Sequence, residues 1–261
     1  MKKVIKAVFL DVDGTLLSEK DRSLSKDTEE SIRRLIQKGI HIILVTGRPH
    51  HLWEEFKHLG IDTVISANGA LVTCRGEIIH KSILSSTMVR EFSHFAASQG
   101  HTLSYFTESL GMNGTCRTDH RVTDALRETL GLMEYPDQIM TLDEEIYCMC
   151  LYANEEETNQ YKERFSSLRF VRFHPYVCNV LEAGEVSKSV AAQIVLTHLN
   201  IPREETMAFG DGENDIDLLT YVGVSVAMGN GGERVKQSAD YVTLKASENG
   251  ITHALRHYKL I

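Results

Sequence analysis

Two aspartates at the end of one apolar strand constrain this chain more than any other feature. Asp11-Val12-Asp13-Gly14-Thr15 follows directly on the run Val4-Ile5-Lys6-Ala7-Val8-Phe9-Leu10. That run is short, rich in β-branched and aromatic residues, and ends in turn formers, so it reads as a buried strand. Successive strand residues alternate faces, which predicts Asp11 and Asp13 on the same side. Two like charges about 4 Å apart repel by about 4 kcal/mol at an effective dielectric near 20. A chain keeps such a pair for a cation, a shared proton or chemistry. The plain alternative is a strand ending in a polar Asp/Gly turn.

A second acidic cluster repeats the grammar downstream, in Met207-Ala208-Phe209-Gly210-Asp211-Gly212-Glu213-Asn214-Asp215. A short apolar run leads to Asp and Gly, then to a helical pattern marked by Ile216, Leu218, Leu219 and Val222. This puts Asp211 at a strand end and Asp215 in the first helical turn. Ligands of open α/β sheets bind outside the carboxyl ends of the strands, so both clusters belong at one rim. Several oxygen ligands without Cys or His nearby suit a hard cation such as magnesium.

With these motifs in hand, the chain resembles the Cof-type phosphatases of the haloacid dehalogenase superfamily. Four motifs stand in that family's order: Asp11-Val12-Asp13-Gly14-Thr15, Thr46-Gly47-Arg48, Lys188 within Val186-Ser187-Lys188-Ser189, and Gly210-Asp211-Gly212-Glu213-Asn214-Asp215. Ser66-Ala67-Asn68-Gly69-Ala70 resembles the family's Asn-Gly-Ala turn. Ser189 stands where relatives usually carry Gly, and Leu218-Leu219 where they carry Met-Leu. The second change conserves core volume, and neither removes a reactive group.

The resemblance implies a magnesium-dependent phosphatase acting on small phosphorylated metabolites. Asp11 would be the nucleophile and Asp13 the general acid and base. Lys188, with its three donors, would hold the phosphoryl group and the nucleophile. Thr46, Gly47, Arg48 and Asn214 would bind the phosphate or substrate. Mg²⁺ would be held by Asp11, the Asp13 carbonyl and Asp211, with Asp215 ligating through water or holding Lys188. The presence of Asp13 argues against a dehalogenase, which lacks that acid. A phosphomutase on the same core is the enzymatic alternative. A phosphometabolite sensor would be expected to have lost the nucleophile or the acid, and both positions are filled.

The organisation along the chain agrees with an α/β fold. Ser25 to Lys38 reads as a helix that Ser25 or Asp27 can cap, and Ile40 to Val45 as the next strand. A helix from Pro49 to Leu59 and the strand Thr63-Val64-Ile65 follow. The pattern resumes with a helix from Lys188 to Leu199, then strands at 207–210, 224–228 and 241–243. Strands separated by helices imply a doubly wound, Rossmann-like parallel sheet, here spanning 1–82 and 185–261. Residues 83–184 read as an inserted α+β cap, the expected determinant of substrate choice. Its helices are expected at 86–99, 123–130 and 155–166, and its strands at 147–153, 168–173 and 177–182.

Composition narrows the partners. The 261 residues carry a net charge of −8, which disfavours nucleic acid and anionic membranes. No apolar run approaches a membrane span, and Lys6 and Asp11 interrupt the only signal-like start, so a cytoplasmic location is expected. Five cysteines form neither a disulfide framework nor a zinc spacing; Cys148 and Cys150 read as buried thiols on one strand face. His50-His51 reads as a solvated pair, and Gly229-Asn230-Gly231-Gly232 as a tight turn near the rim, not a nucleotide cradle.

Overall fold

The computed structural model describes residues 4–107, 110–112, 119–133, 144–184 and 186–261. The first block runs β1 (Ala7–Asp11), α1 (Lys26–Gln37), β2 (His41–Val45), β3 (Thr63–Ser66), β4 (Leu71–Cys74) and β5 (Glu77–Lys81). The middle holds α2 (Ser86–Ser98), β6 (Thr102–Phe106), β7 (Leu110–Met112), α3 (His120–Leu130), β8 (Cys148–Tyr152), α4 (Glu155–Arg164), β9 (Leu168–His174) and β10 (Val177–Glu182). The last block holds α5 (Lys188–Leu199), β11 (Thr206–Gly210), α6 (Ile216–Tyr221), β12 (Val224–Ala227), α7 (Glu233–Gln237), β13 (Tyr241–Val242) and α8 (Gly250–His257). These elements fall into two compact units: Met1–Thr46, Trp53–His80 and Ser187–Ile261 form one, Gly47–Leu52 and Lys81–Val186 the other.

The first unit is built on an eight-stranded sheet in the order β13-β12-β11-β1-β2-β3-β4-β5. Pairing is parallel from β13 through β3 and turns antiparallel at β3–β4. Both faces are covered, so the runs Ala7 to Leu10, Ile42 to Val45 and Met207 to Phe209 are apolar and buried without alternation. Val8, Leu10, Leu44 and Phe209 face α1 and α8 through Ile32, Leu35, Ile251 and Leu255. Phe9, Ile43, Val45 and Ala208 face the other way, onto Ala191, Val195, Leu218 and Leu219 of α5 and α6. Ser25 caps α1 by accepting from the Thr28 N–H at 3.1 Å.

The second unit has an antiparallel sheet in the order β7-β6-β8-β10-β9. One face packs on α2 and α4, where Phe92 lies 4.9 Å from Phe165 and 5.2 Å from Tyr161, ring centre to ring centre. Cys148 and Cys150 are buried and free, as their alternation in an apolar strand suggests. No helix among the described residues is long and apolar enough to cross a membrane.

Three local readings differ from the structure. The segment after Pro49 is a 3₁₀ helix, His50–Leu59, rather than an α-helix. Asp215 closes a 3₁₀ turn, Glu213–Asp215, and stands just before α6 instead of inside its first turn. The strand of the first motif ends at Asp11, so Asp13 lies beyond the sheet and its alternation.

Between β3 and β4 the backbone makes a turn with positive φ at Ala67, Asn68 and Gly69. A Cβ at Gly69 would collide with the carbonyl oxygen of Ser187, the residue that caps α5 just before Lys188. Gly69→Ala combines this collision with a strained φ of 107°. It should cost at least about 2 kcal/mol of stability in chemical denaturation followed by circular dichroism. A loss below about 0.5 kcal/mol would contradict the close packing of this turn on the start of α5.

Candidate active site

β1 and β11 are parallel neighbours, with Leu10 paired to Phe209. Their carboxyl ends therefore deliver Asp11 and Asp211 side by side. α5 packs on that sheet and brings Lys188 from its first position, where the Ser187 hydroxyl accepts from the Val190 N–H at 3.2 Å. Lys188 is 1% exposed, and its ammonium donates to Asp11 Oδ1 at 2.6 Å and to Asp215 Oδ1 at 2.5 Å. The other oxygen of Asp215 accepts from the backbone N–H groups of Asp211 and Gly212, at 3.1 and 2.9 Å. A Cβ at Gly210 would lie 2.6 Å from the Asp215 Cβ, so glycine there lets the Asp215 side chain fold back over its own strand end.

Asp211 is held from both sides. Thr15 Oγ1 donates to its Oδ1 at 2.7 Å, and Asn230 Nδ2 to its Oδ2 at 3.1 Å. Gly14, at φ 77°, passes so close that a Cβ would strike the Asp211 carboxylate. Asp11 differs. No protein group among the described residues donates to its Oδ2.

Carboxylate oxygens of Asp11, Asp211 and Asp215 lie within 4.8 Å of one another. Three carboxylates against one ammonium leave two formal negative charges in a largely buried volume. Burial, together with the Asp215 charge, pushes the Asp11 carboxyl well above the usual range, against the pull of Lys188. Burial and Asp215 push Asp211 up to about 7. Burial opposes the charge of Lys188, but Asp11 and Asp215 outweigh it and raise its pKa. An all-oxygen set with surplus negative charge fits a hard divalent cation such as Mg²⁺.

The remaining residues singled out by sequence divide between the units. Asp13 is half-exposed, and Arg22 lies 3.4 Å from its carboxylate. Thr46 is buried at the end of β2, where its carbonyl accepts from the Asn68 N–H at 3.0 Å. Asn214 donates to Asn68 Oδ1 at 3.1 Å. Gly47 and the buried Arg48 belong to the second unit, where Asn179 Nδ2 donates to the Gly47 carbonyl at 3.3 Å. Sequence reasoning quoted Thr15 and Asn68 without giving them a contact, and took Asn230 for a turn residue alone. Nearness to the rim was the available signal; the donors' targets depend on the fold.

The model of the haloacid dehalogenase-like hydrolases matches residues 8–255, and the chain belongs to that family. Within it, the chain is a phosphatase of the Cof type. YkrA of Bacillus subtilis is 30% identical over 98% of both chains. The 5-amino-6-(5-phospho-D-ribitylamino)uracil phosphatase YitU of the same organism is 26% identical over 96% of each. Among solved structures, the subclass IIB sugar phosphatase BT4131 superposes with a TM-score of 0.87 at 31% identity, covering 98% of this chain and 100% of its own.

The raised carboxylates make the metal-free protein sensitive to pH. An unfolded Asp titrates near 4, whereas folded Asp211 holds its proton to about 7. Between these values the native state binds more protons than the unfolded state, so stability falls as pH rises. Melting temperature in chelator should therefore drop from pH 5 to pH 8, and Asp211→Asn should flatten the slope. A rising or level profile for the unsubstituted protein would contradict the crowding of these carboxylates.

Proposed function

We propose that the protein hydrolyses small phosphorylated metabolites, sugar or polyol phosphates foremost, through a phosphoryl group carried transiently on Asp11, with Mg²⁺ as cofactor. The observation that carries this reading is the asymmetry of Asp11. One oxygen is tied to Lys188, the other has no protein donor among the described residues, and two more carboxylates stand within 4.8 Å. Such a group is fixed and open on one side, as a nucleophile must be, and a bound cation would favour its charged form.

In the first step an Asp11 oxygen bonds to phosphorus as the ester P–O bond breaks. Asp13, half-exposed beside the cluster, gives its proton to the departing alkoxide. In the second step the Asp13 carboxylate takes a proton from water, whose oxygen attacks phosphorus and frees the Asp11 carboxylate and inorganic phosphate. Lys188 fixes Asp11 and offers positive charge to the phosphoryl oxygens. Asp215 holds Lys188 in turn, with its second oxygen pinned by two backbone N–H groups. Asp11, Asp211 and the Asp13 carbonyl would hold Mg²⁺. When bound, that ion offsets the surplus negative charge and favours approach of an anionic substrate. Thr46 and Asn214 are assigned to the phosphate, and Arg48 to the substrate.

The unit formed by Gly47–Leu52 and Lys81–Val186 contains none of the acidic residues assigned to phosphoryl transfer, so we assign it substrate choice. The names of YitU and BT4131 support a ribityl or sugar phosphate over a nucleotide.

Phosphate release from a panel of sugar, polyol, nucleotide and cofactor phosphates, with Mg²⁺ or with chelator, tests the reading. Activity should need Mg²⁺ and rank the sugar and polyol phosphates first. Asp11→Asn should lower kcat by about 10³-fold or more while leaving the fold intact. An Asp11→Asn variant with wild-type turnover would exclude the covalent route, and full activity in chelator would exclude the metal.

A further inference from the structure

The glycine-rich turn after β12 sends one side chain into the acidic cluster. Asn230 Nδ2 donates to the Gly14 carbonyl at 2.8 Å and to Asp211 Oδ2 at 3.1 Å. Its Oδ1 accepts from the Ala246 N–H at 3.0 Å. One amide thus joins three segments that are far apart in sequence, all within the first unit. Its orientation is determined by its partners. A flipped amide would set its oxygen against a carbonyl and a carboxylate, and its NH₂ against another N–H.

The turn that carries Asn230 is itself held. The Met228 N–H donates to the Gly210 carbonyl at 2.9 Å, and the Gly229 N–H to the Leu244 carbonyl at 3.0 Å. A Cβ at Gly231 would lie 3.0 Å from the Asp211 carbonyl oxygen, so the backbone comes directly against the end of β11. Asp211 therefore has one donor on each oxygen, Thr15 on one side and Asn230 on the other. Two donors on opposite oxygens fix the plane of a carboxylate, whereas one leaves it free to turn about its last torsion. Partners that orient a metal ligand typically contribute 10- to 100-fold in metal affinity or activity.

We propose that Asn230 is a positioning residue for the cation: it locks the Asp211 carboxylate in the plane that faces Asp11 and so sets Mg²⁺ affinity. The inference rests on the magnesium reading above, and assigns Asn230 no part in bond making or breaking. Its signature is a split between metal affinity and turnover. Removing the amide frees Asp211 but leaves Asp11, Asp13, Lys188 and Asp215 in place. Saturating cation then recovers the bound geometry.

Calorimetric titration of Mg²⁺ into chelator-treated protein tests this directly, with Asn230→Ala and the milder Asn230→Ser measured in parallel. The serine variant keeps a small polar group in the turn and secures the test if the alanine variant does not fold. The expected result is Mg²⁺ binding about 10- to 100-fold weaker in the variants. At saturating Mg²⁺, kcat should stay within about threefold of the unsubstituted value, the pattern of lost binding without lost chemistry. If the unsubstituted protein binds no Mg²⁺, the magnesium reading fails. If it binds Mg²⁺ and the folded variants bind it within about twofold, or if their kcat collapses at saturating Mg²⁺, Asn230 is not a positioning residue.

Discussion

The buried ammonium of Lys188, shared between Asp11 and Asp215, is the interaction on which the rest of the site depends. Removing one partner from a buried ion pair typically costs about 3–5 kcal/mol, because the other charge stays behind unpaired. Here one cation serves two anions, with a third carboxylate, Asp211, close by. Backbone and side-chain donors hold the remaining carboxylate oxygens: two backbone N–H groups on Asp215, Thr15 and Asn230 on Asp211. What these donors leave open is one oxygen of Asp11 and a surplus of negative charge. Those two features are what phosphoryl transfer with a divalent cation requires.

The sheet makes this possible because parallel strands end at the same edge. β1 and β11 are adjacent and in register, so aspartates 200 positions apart in sequence need only sit one residue apart at the strand ends. The turns around them are glycine-rich for steric reasons. Gly14, Gly210 and Gly69 each stand where a side chain would strike a group of the site or of the α5 entry. Apolar strands covered on both faces then supply a rigid base, which keeps the carboxylates from relaxing apart.

Much of the first unit was legible in the sequence. The helix from Lys188 to Leu199 matches α5 residue for residue, since Ser187 caps it and Asn200 ends it in a left-handed conformation. β10 also matches, over Val177–Glu182. The β4–β5 pair was not anticipated: β4 is short, and Ile78 in β5 is 56% exposed, so neither gives a clear alternation. β6 was missed because Thr102 and Ser104 are polar yet buried, and β7 because its 3 residues are too short a run to read as a strand. The candidate site was legible as a set of acids and one lysine through motif order. Which oxygen accepts from which donor was not, since Asn230 reaches Asp211 only once β11 and β12 are paired.

The central claim is that Asp11 is the atom-level point of phosphoryl attachment, balanced by Lys188 on one side and a cation on the other. A crystal structure of the protein with Mg²⁺ and beryllium fluoride, a mimic of a phosphoryl group bound to a carboxylate, tests it most directly. The account predicts beryllium bonded to Asp11, Mg²⁺ on Asp11 and Asp211, and Lys188 still bonded to Asp215. Beryllium fluoride bound elsewhere, or Mg²⁺ at a site that excludes Asp11 and Asp211, would contradict it.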